Sequence, residues 1–159
     1  MKPEVKGVLR DVETEAEYQG TIYEQTAVLE TENNTIAVFD GHTITTKDSI
    51  GEARSFVLLL DPRENGIEVT DKRKKGISET DEKISKWSYD FYGQVVEQNV
   101  KDIWFRNEHD SLLIIDIGEG TVLLSTTDTK KNGMNEGNLK EGDFVHVLAA
   151  RTDLVDVSS

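Results

Sequence analysis

The feature that most constrains the fold of this 159-residue chain is an approximate repeat of short apolar runs in its two halves. Residues 27–39 align with residues 112–124, and each stretch holds two β-branched runs around a polar turn. Three further pairs of segments align, namely 18–25 with 91–98, 55–60 with 143–148, and 67–69 with 155–157. Because an internal repeat constrains architecture more firmly than a single motif, the sequence predicts two similar units in tandem.

The short runs predict strands throughout, because they are rich in β-branched and aromatic residues and are bounded by Gly, Asn and Asp. The pair Asn33 and Asn34, and the triplet 118–120, each separate two runs and are typical of tight hairpin turns. The predicted strands are 5–12, 20–25, 26–31, 35–39, 54–60, 66–70, 93–100, 103–106, 112–117, 121–125, 144–149 and 154–157. The predicted fold class is therefore all-β.

The repeat suggests three regions. Residues 1–70 form a first small barrel in which residues 1–17 supply an N-terminal edge strand, residues 71–90 form a linker, and residues 91–159 form a second barrel. In the linker, Ser78 followed three residues later by Asp81 predicts a capped helix of about two turns. A helix that short is marginal alone, so Ile84 and Trp87 are expected to pack it against the barrels.

Residues 93–157 resemble an OB-fold domain. The resemblance rests on Gly93 opening a long first strand, the hairpin at 112–124, and the turn at Gly142 and Asp143 before an alternating strand. It implies two tandem five-stranded barrels of a kind that binds oligonucleotides, oligosaccharides or proteins. The family has a helix or loop between its third and fourth strands, and residues 126–142 are predicted to form a loop at this place. An SH3-like barrel is therefore the alternative.

The charge distribution bears on the partner. The formal net charge is −13, and a surface this acidic repels nucleic acid at ordinary salt. Residues 1–70 carry −8, residues 71–90 carry +1 and residues 91–159 carry −6, so the middle is a basic island. Either the protein works in a halophilic cytoplasm, where near-molar salt screens repulsion beyond about 3 Å, or it comes from a mesophile and avoids polyanions.

Several classes of chemistry find no support in the sequence. The chain has no cysteine, and its three histidines, His42, His109 and His146, lie in separate segments. His146 alternates with apolar residues and is interpreted as a core or rim residue. No phosphate-binding glycine motif and no long apolar run is present. We therefore expect no catalytic residue, no metal, no cofactor, no membrane contact and a cytoplasmic location.

The candidate site combines aromatic and basic residues. An OB barrel binds single strands by stacking bases on aromatic rings while basic loops follow the phosphates. The rings expected to stack bases are Trp104, Phe105, Tyr89 and Tyr92, and the expected phosphate contacts are Lys72, Arg73, Lys74, Lys75, Arg106, Lys130 and Lys131. The competing interpretation is that alternation buries half of the rings and that the run at 72–75 is a solvated loop.

Two functional hypotheses follow. The first is a non-enzymatic module that binds single-stranded DNA or RNA in a high-salt cytoplasm. The second is an acidic protein-protein interaction module whose acidic faces or exposed strand edges engage a basic protein or a second copy of the chain.

Overall fold

The computed structural model describes residues 2–100, 112–125 and 139–159. The all-β prediction is confirmed, and within these ranges the one helical element is a 3₁₀ turn at Lys47–Ser49. The nine strands are β1 (Val5–Tyr18), β2 (Thr21–Glu30), β3 (Thr35–Asp40), β4 (Ala53–Val69), β5 (Gly76–Ser78), β6 (Tyr89–Val100), β7 (Leu112–Asp116), β8 (Thr121–Ser125) and β9 (Phe144–Ser158).

All nine strands belong to one sheet in the order β1-β2-β3-β9-β4-β8-β7-β6-β5. Two further pairings, β1 with β4 and β6 with β9, close this order into two circuits. The first circuit contains β1, β2, β3, β9 and β4, and the second contains β6, β7, β8, β4 and β9. Each circuit has one parallel pair, β3 with β9 in the first and β8 with β4 in the second.

The two circuits share β4 and β9, so the expectation of two tandem barrels is replaced by one interlocked sheet. These two strands pair antiparallel from Ser55 with Ser158 to Val69 with Val145. With 17 residues, β4 spans roughly 55 Å, which is long enough to serve both circuits. The sequence predicted separate strands at 54–60 and 66–70, but the structure joins them into one strand with a register irregularity between Pro62 and Ile67.

The circuits are nevertheless built on one plan. Replacing β1, β2 and β3 by β6, β7 and β8 and exchanging β4 with β9 converts every pairing of the first circuit into one of the second. The Gly51 N–H donates to the Leu9 carbonyl oxygen at 2.8 Å, and the Gly142 N–H donates to the Val95 carbonyl oxygen at 2.8 Å. Both glycines have positive φ, +92° and +94°. By this equivalence, β1 in the first circuit corresponds to β6 in the second. The sequence alignment of residues 18–25 with 91–98 instead predicts that β2 corresponds to β6.

The two circuits have equivalent pairs of buried core residues, but the large and the small residue of the pair change places between them. Val5 pairs with Phe56 in the first circuit, and Phe91 pairs with Val147 in the second. All four side chains are at most 1% exposed and belong to the same core cluster. A large residue on one strand thus meets a small one on its neighbour in both circuits, but the large residue lies on β4 in the first and on β6 in the second.

The predicted linker helix is wrong. Residues 79–88 form turns and bends, because serine hydroxyls take the backbone donors that a helix would use. The Ser88 Oγ accepts from the N–H groups of Ile84 and Ser85 at 3.2 and 2.9 Å. Trp87 packs edge-on against Phe39 with ring centroids 4.9 Å apart, as expected of an anchor, whereas Ile84 is 59% exposed.

Candidate nucleic-acid interface

The predicted site residues fall into two groups. Five of them, Trp104, Phe105, Arg106, Lys130 and Lys131, lie outside the described residues, and their roles stay predictions. The other six are Tyr89, Tyr92, Lys72, Arg73, Lys74 and Lys75, and their positions can be compared with the expectation.

Tyr89 does not offer a ring to a base. Its side chain is 4% exposed and belongs to the main core. The Ala37 N–H donates to the Tyr89 hydroxyl oxygen at 2.7 Å, and Lys83 Nζ lies 4.4 Å from the ring centroid. The reason is alternation along β6, which turns Tyr89 and Phe91 inward and leaves Asp90 and Tyr92 on the outer face. Base stacking on Tyr89 is therefore corrected to core packing.

Tyr92 lies in a row of side chains that crosses three strands. His146 on β9 is directly opposite Tyr92 on β6 and, on its other side, directly opposite Glu68 on β4. The Tyr92 and His146 rings stack with centroids 4.4 Å apart and an interplanar angle of 4°. The strand register thus brings together two rings that are 54 residues apart in the sequence, and His146 is a partly exposed residue of this row.

The basic loop between β4 and β5 lies beside this row. The Thr70 N–H donates to the Phe144 carbonyl oxygen at 2.9 Å, which fixes the start of the loop next to β9. Lys74 Nζ lies 4.2 Å from the Tyr92 ring centroid, and the Arg73 guanidinium carbon lies 5.8 Å from the Phe144 ring centroid. Tyr92 and part of the 72–75 run therefore meet on one surface, and their role in binding nucleic acid stays a prediction.

We call this surface the aromatic–basic patch and define it by Lys72, Arg73, Lys74, Tyr92, Phe144 and His146. Phe144 and His146 were not among the predicted contacts. The signal that could have found them is the alternation along β9, which sets both on the face opposite the buried Val145 and Val147.

The cations of the loop differ in their partners. Lys75 Nζ bonds to the Asp116 carboxylate at 2.9 Å. Burial raises the pKa of Asp116, but the Lys75 and Gly118 N–H hydrogen bonds outweigh it, and the net pKa lies below the ordinary value. In the part of the chain that the structure describes, Lys72, Arg73 and Lys74 form no salt bridge. Three exposed cations are thus left for a ligand.

Two carboxylates hold His146 in place. Its Nδ1 lies 3.0 Å from Glu68 Oε1, and its Nε2 lies 2.8 Å from Asp90 Oδ1. Each ring nitrogen thus lies within hydrogen-bond distance of a carboxylate oxygen, and the two contacts together fix the orientation of the imidazole ring. Burial, followed by the charges of Asp90 and Glu68, raises the pKa of Tyr92, which keeps its phenol neutral. The ring pair is therefore fixed in orientation by charged neighbours.

The described ranges contain no group of three or more His, Asp or Glu side chains arranged to hold a metal ion. In the same ranges no helix has the length and apolar character needed to cross a membrane. Comparison with known proteins finds no matching family model and no curated protein of similar sequence.

Proposed function

We propose that the protein is a non-enzymatic module that binds single-stranded nucleic acid through the aromatic–basic patch in a high-salt cytoplasm. The observation that carries the proposal is the placement of unpaired cations over aromatic rings, with Lys74 above Tyr92 and Arg73 above Phe144. Bases stack on aromatic rings and phosphates need free cations, and this surface combines half-buried rings with exposed cations.

A base can displace Lys74 from the Tyr92 ring. The opposite face of that ring is covered by His146, which two carboxylates hold in place. An exposed lysine on an aromatic ring is worth about 0.5–1 kcal/mol, whereas a base stacked on a ring contributes about 1–3 kcal/mol. The exchange is favourable on these magnitudes, and the displaced Lys74 ammonium then contacts a phosphate.

The proposal keeps the predicted contacts Trp104, Phe105, Arg106, Lys130 and Lys131, which lie in the sequence between β6 and β7 and between β8 and β9, outside the described residues. Each circuit has five strands, as an OB barrel does. We propose the OB-like description on that count, with the two barrels sharing strands.

The salt concentration determines how strongly the negative charge of the whole chain opposes this binding. The net charge of −13 repels a polyanion at low salt, whereas at about 1 M salt the Debye length is about 3 Å and only local contacts count. Three phosphate contacts give a slope of about −2 for log K against log salt. Stacking is less dependent on salt, so measurable binding is expected to remain at molar salt.

The test is fluorescence anisotropy of a labelled oligothymidine of about 12 nucleotides, titrated with the full chain at about 0.1 M and 1 M salt. The variant Lys72→Glu, Arg73→Glu, Lys74→Glu is expected to lose binding by about a hundredfold or more. The matched control reverses the exposed Lys6, Lys47 and Lys140, which changes the net charge equally and is expected to lose far less. Absence of binding by the parent chain at both salt concentrations contradicts the proposal.

A further inference from the structure

The hairpin of β1 and β2 extends beyond the rest of the sheet. β1 pairs with β4 only from Val5 to Val8, and β2 pairs with β3 only from Gln25 onward. Beyond these limits, residues 11–18 of β1 pair only with β2, and residues 21–24 of β2 pair only with β1, among the described residues. We call residues 11–24 the acidic arm. Both edges of this two-stranded ribbon carry backbone groups without a strand partner, which is the usual site for adding a strand.

The tip of the acidic arm exposes aromatic rings. Tyr18 is 66% exposed and Tyr23 is 55% exposed. Tyr18 pairs with Thr21, and Tyr23 lies two residues further along that strand at a register irregularity, so both rings stand close to the turn of the hairpin. Rings this exposed contribute little to the fold and are the kind of anchor that binding surfaces use.

The arm is acidic around its exposed rings. Glu17 pairs with Ile22 and Glu24 pairs with Ala16, with a register irregularity between the two pairs, so both carboxylates lie in the same stretch of the ribbon as the tyrosines. The arm carries five acidic residues and no basic one. Lys86 bonds to Glu15 and lies 3.8 Å from Glu13, while Glu17 and Glu24 form no salt bridge within the described residues.

We propose that the acidic arm binds an extended lysine- or arginine-rich segment of a partner protein as an added strand. Main-chain hydrogen bonds to the free edge supply affinity, and alternation of the added strand supplies specificity. In this proposal the cationic side chains of the segment contact the carboxylates of the arm, and its apolar side chains contact Tyr18 and Tyr23.

Charge selects this occupant over the two alternatives. A second copy of the chain would bring the carboxylates of one arm beside those of another, and like charges across strands destabilise the pairing. A nucleic acid would bring phosphates to the same carboxylates. The arm therefore differs in ligand class from the aromatic–basic patch, and its proposal does not depend on the proposed function.

The test is calorimetric titration of the full chain with an octapeptide that alternates lysine with valine or threonine, at the lowest salt at which the folded far-UV spectrum is kept. An octapeptide of the same composition with its lysines grouped at one end is the control ligand. The alternating peptide is expected to bind at least about tenfold more tightly than the grouped one, and Tyr18→Ser with Tyr23→Ser is expected to weaken it about tenfold.

Reversal of two charges, Glu17→Lys with Glu24→Lys, is expected to abolish peptide binding. The control variant Ile84→Ser, at an exposed apolar residue elsewhere, is expected to leave peptide binding unchanged.

Any of the following results overturns the proposal: no peptide binding, equal binding of both peptides, binding that the arm variants leave intact, or sedimentation showing that the chain self-associates through Tyr18 and Tyr23. Loss of oligothymidine binding in the Tyr18→Ser, Tyr23→Ser variant also overturns it, whereas loss only in the Lys72–Lys74 variant concerns the proposed function alone.

Discussion

The two circuits have the same strand plan, but the aromatic rings on their surfaces lie beside side chains of opposite charge. The first circuit extends its opening hairpin into the acidic arm, where Tyr18 and Tyr23 stand among carboxylates. The second circuit carries Tyr92 and Phe144 beneath Arg73 and Lys74. Aromatic rings suit many ligands, so the charge beside them decides which ligand is drawn to each surface. The two circuits thus carry their rings at different positions of one strand plan, and local charge distinguishes the ligands proposed for them.

The largest expected effect concerns the shared core rather than either surface. Phe91→Ala removes a fully buried ring beneath the second circuit, and Phe56→Ala removes its counterpart in the first. Each is expected to lower the free energy of unfolding by about 3–5 kcal/mol. Because β4 and β9 belong to both circuits, both variants are expected to shift one common urea transition. Two separate transitions, each moved by only one variant, would contradict the interlocked sheet.

The exchange of size between the circuits can be tested directly. Val5→Phe with Phe56→Val gives the first circuit the arrangement of the second, where the large residue lies on the strand that opens the circuit. The double variant is expected to be more stable than the sum of its single variants predicts, by about 1–2 kcal/mol. Urea unfolding of the four proteins measures this coupling. A coupling near zero would mean that the two sites do not share packing space.

Reversing charges on the acidic arm should make it bind oligothymidine, as the aromatic–basic patch is proposed to do. Glu17→Lys with Glu24→Lys places cations beside the exposed Tyr18 and Tyr23 rings. Affinity for oligothymidine at low salt is expected to rise about tenfold, because one source of repulsion is replaced by two phosphate contacts. Anisotropy titration checks this, with Lys6→Glu and Lys47→Glu as the opposite change elsewhere. An unchanged affinity would indicate that charge at the arm does not control its ligand.

The smallest expected effect comes from freeing one more cation at the patch. Asp116→Asn removes the partner of Lys75, so affinity for oligothymidine is expected to rise about threefold. The same change removes a carboxylate whose pKa is lowered in the folded protein. Its stabilisation is present above the unfolded pKa and is lost as the pH falls through the folded one. The stability difference between variant and parent should therefore shrink in acid, and a difference that grows there would refute this reading.

Local patterns in the sequence predicted the local structure well. The turns at Asn33 and Asn34 and at 118–120 do join hairpins, and alternation correctly raised the prospect that half of the candidate rings are buried, as Tyr89 is. These features depend on neighbouring residues, which a sequence displays directly.

Features set by distant pairings were not predictable in the same way. The continuity of β4 through Pro62 depends on its pairing with β9, and the stacking of Tyr92 on His146 depends on the register of β6 against β9. The linker helix failed because Ser85 and Ser88 offered the backbone a competing set of hydrogen bonds. Each of these outcomes turns on a contact whose partner the local pattern does not identify.

The most direct test of the account is an amide-resolved NMR titration of the full chain with oligothymidine and, in a second sample, with the alternating lysine peptide. We expect oligothymidine to shift the amides of Arg73, Lys74, Tyr92 and His146 and to leave those of Tyr18 and Tyr23 in place, and we expect the peptide to do the reverse. If both ligands shift the same set of amides, or if oligothymidine shifts those of the acidic arm, charge does not separate the two surfaces and the central claim is wrong.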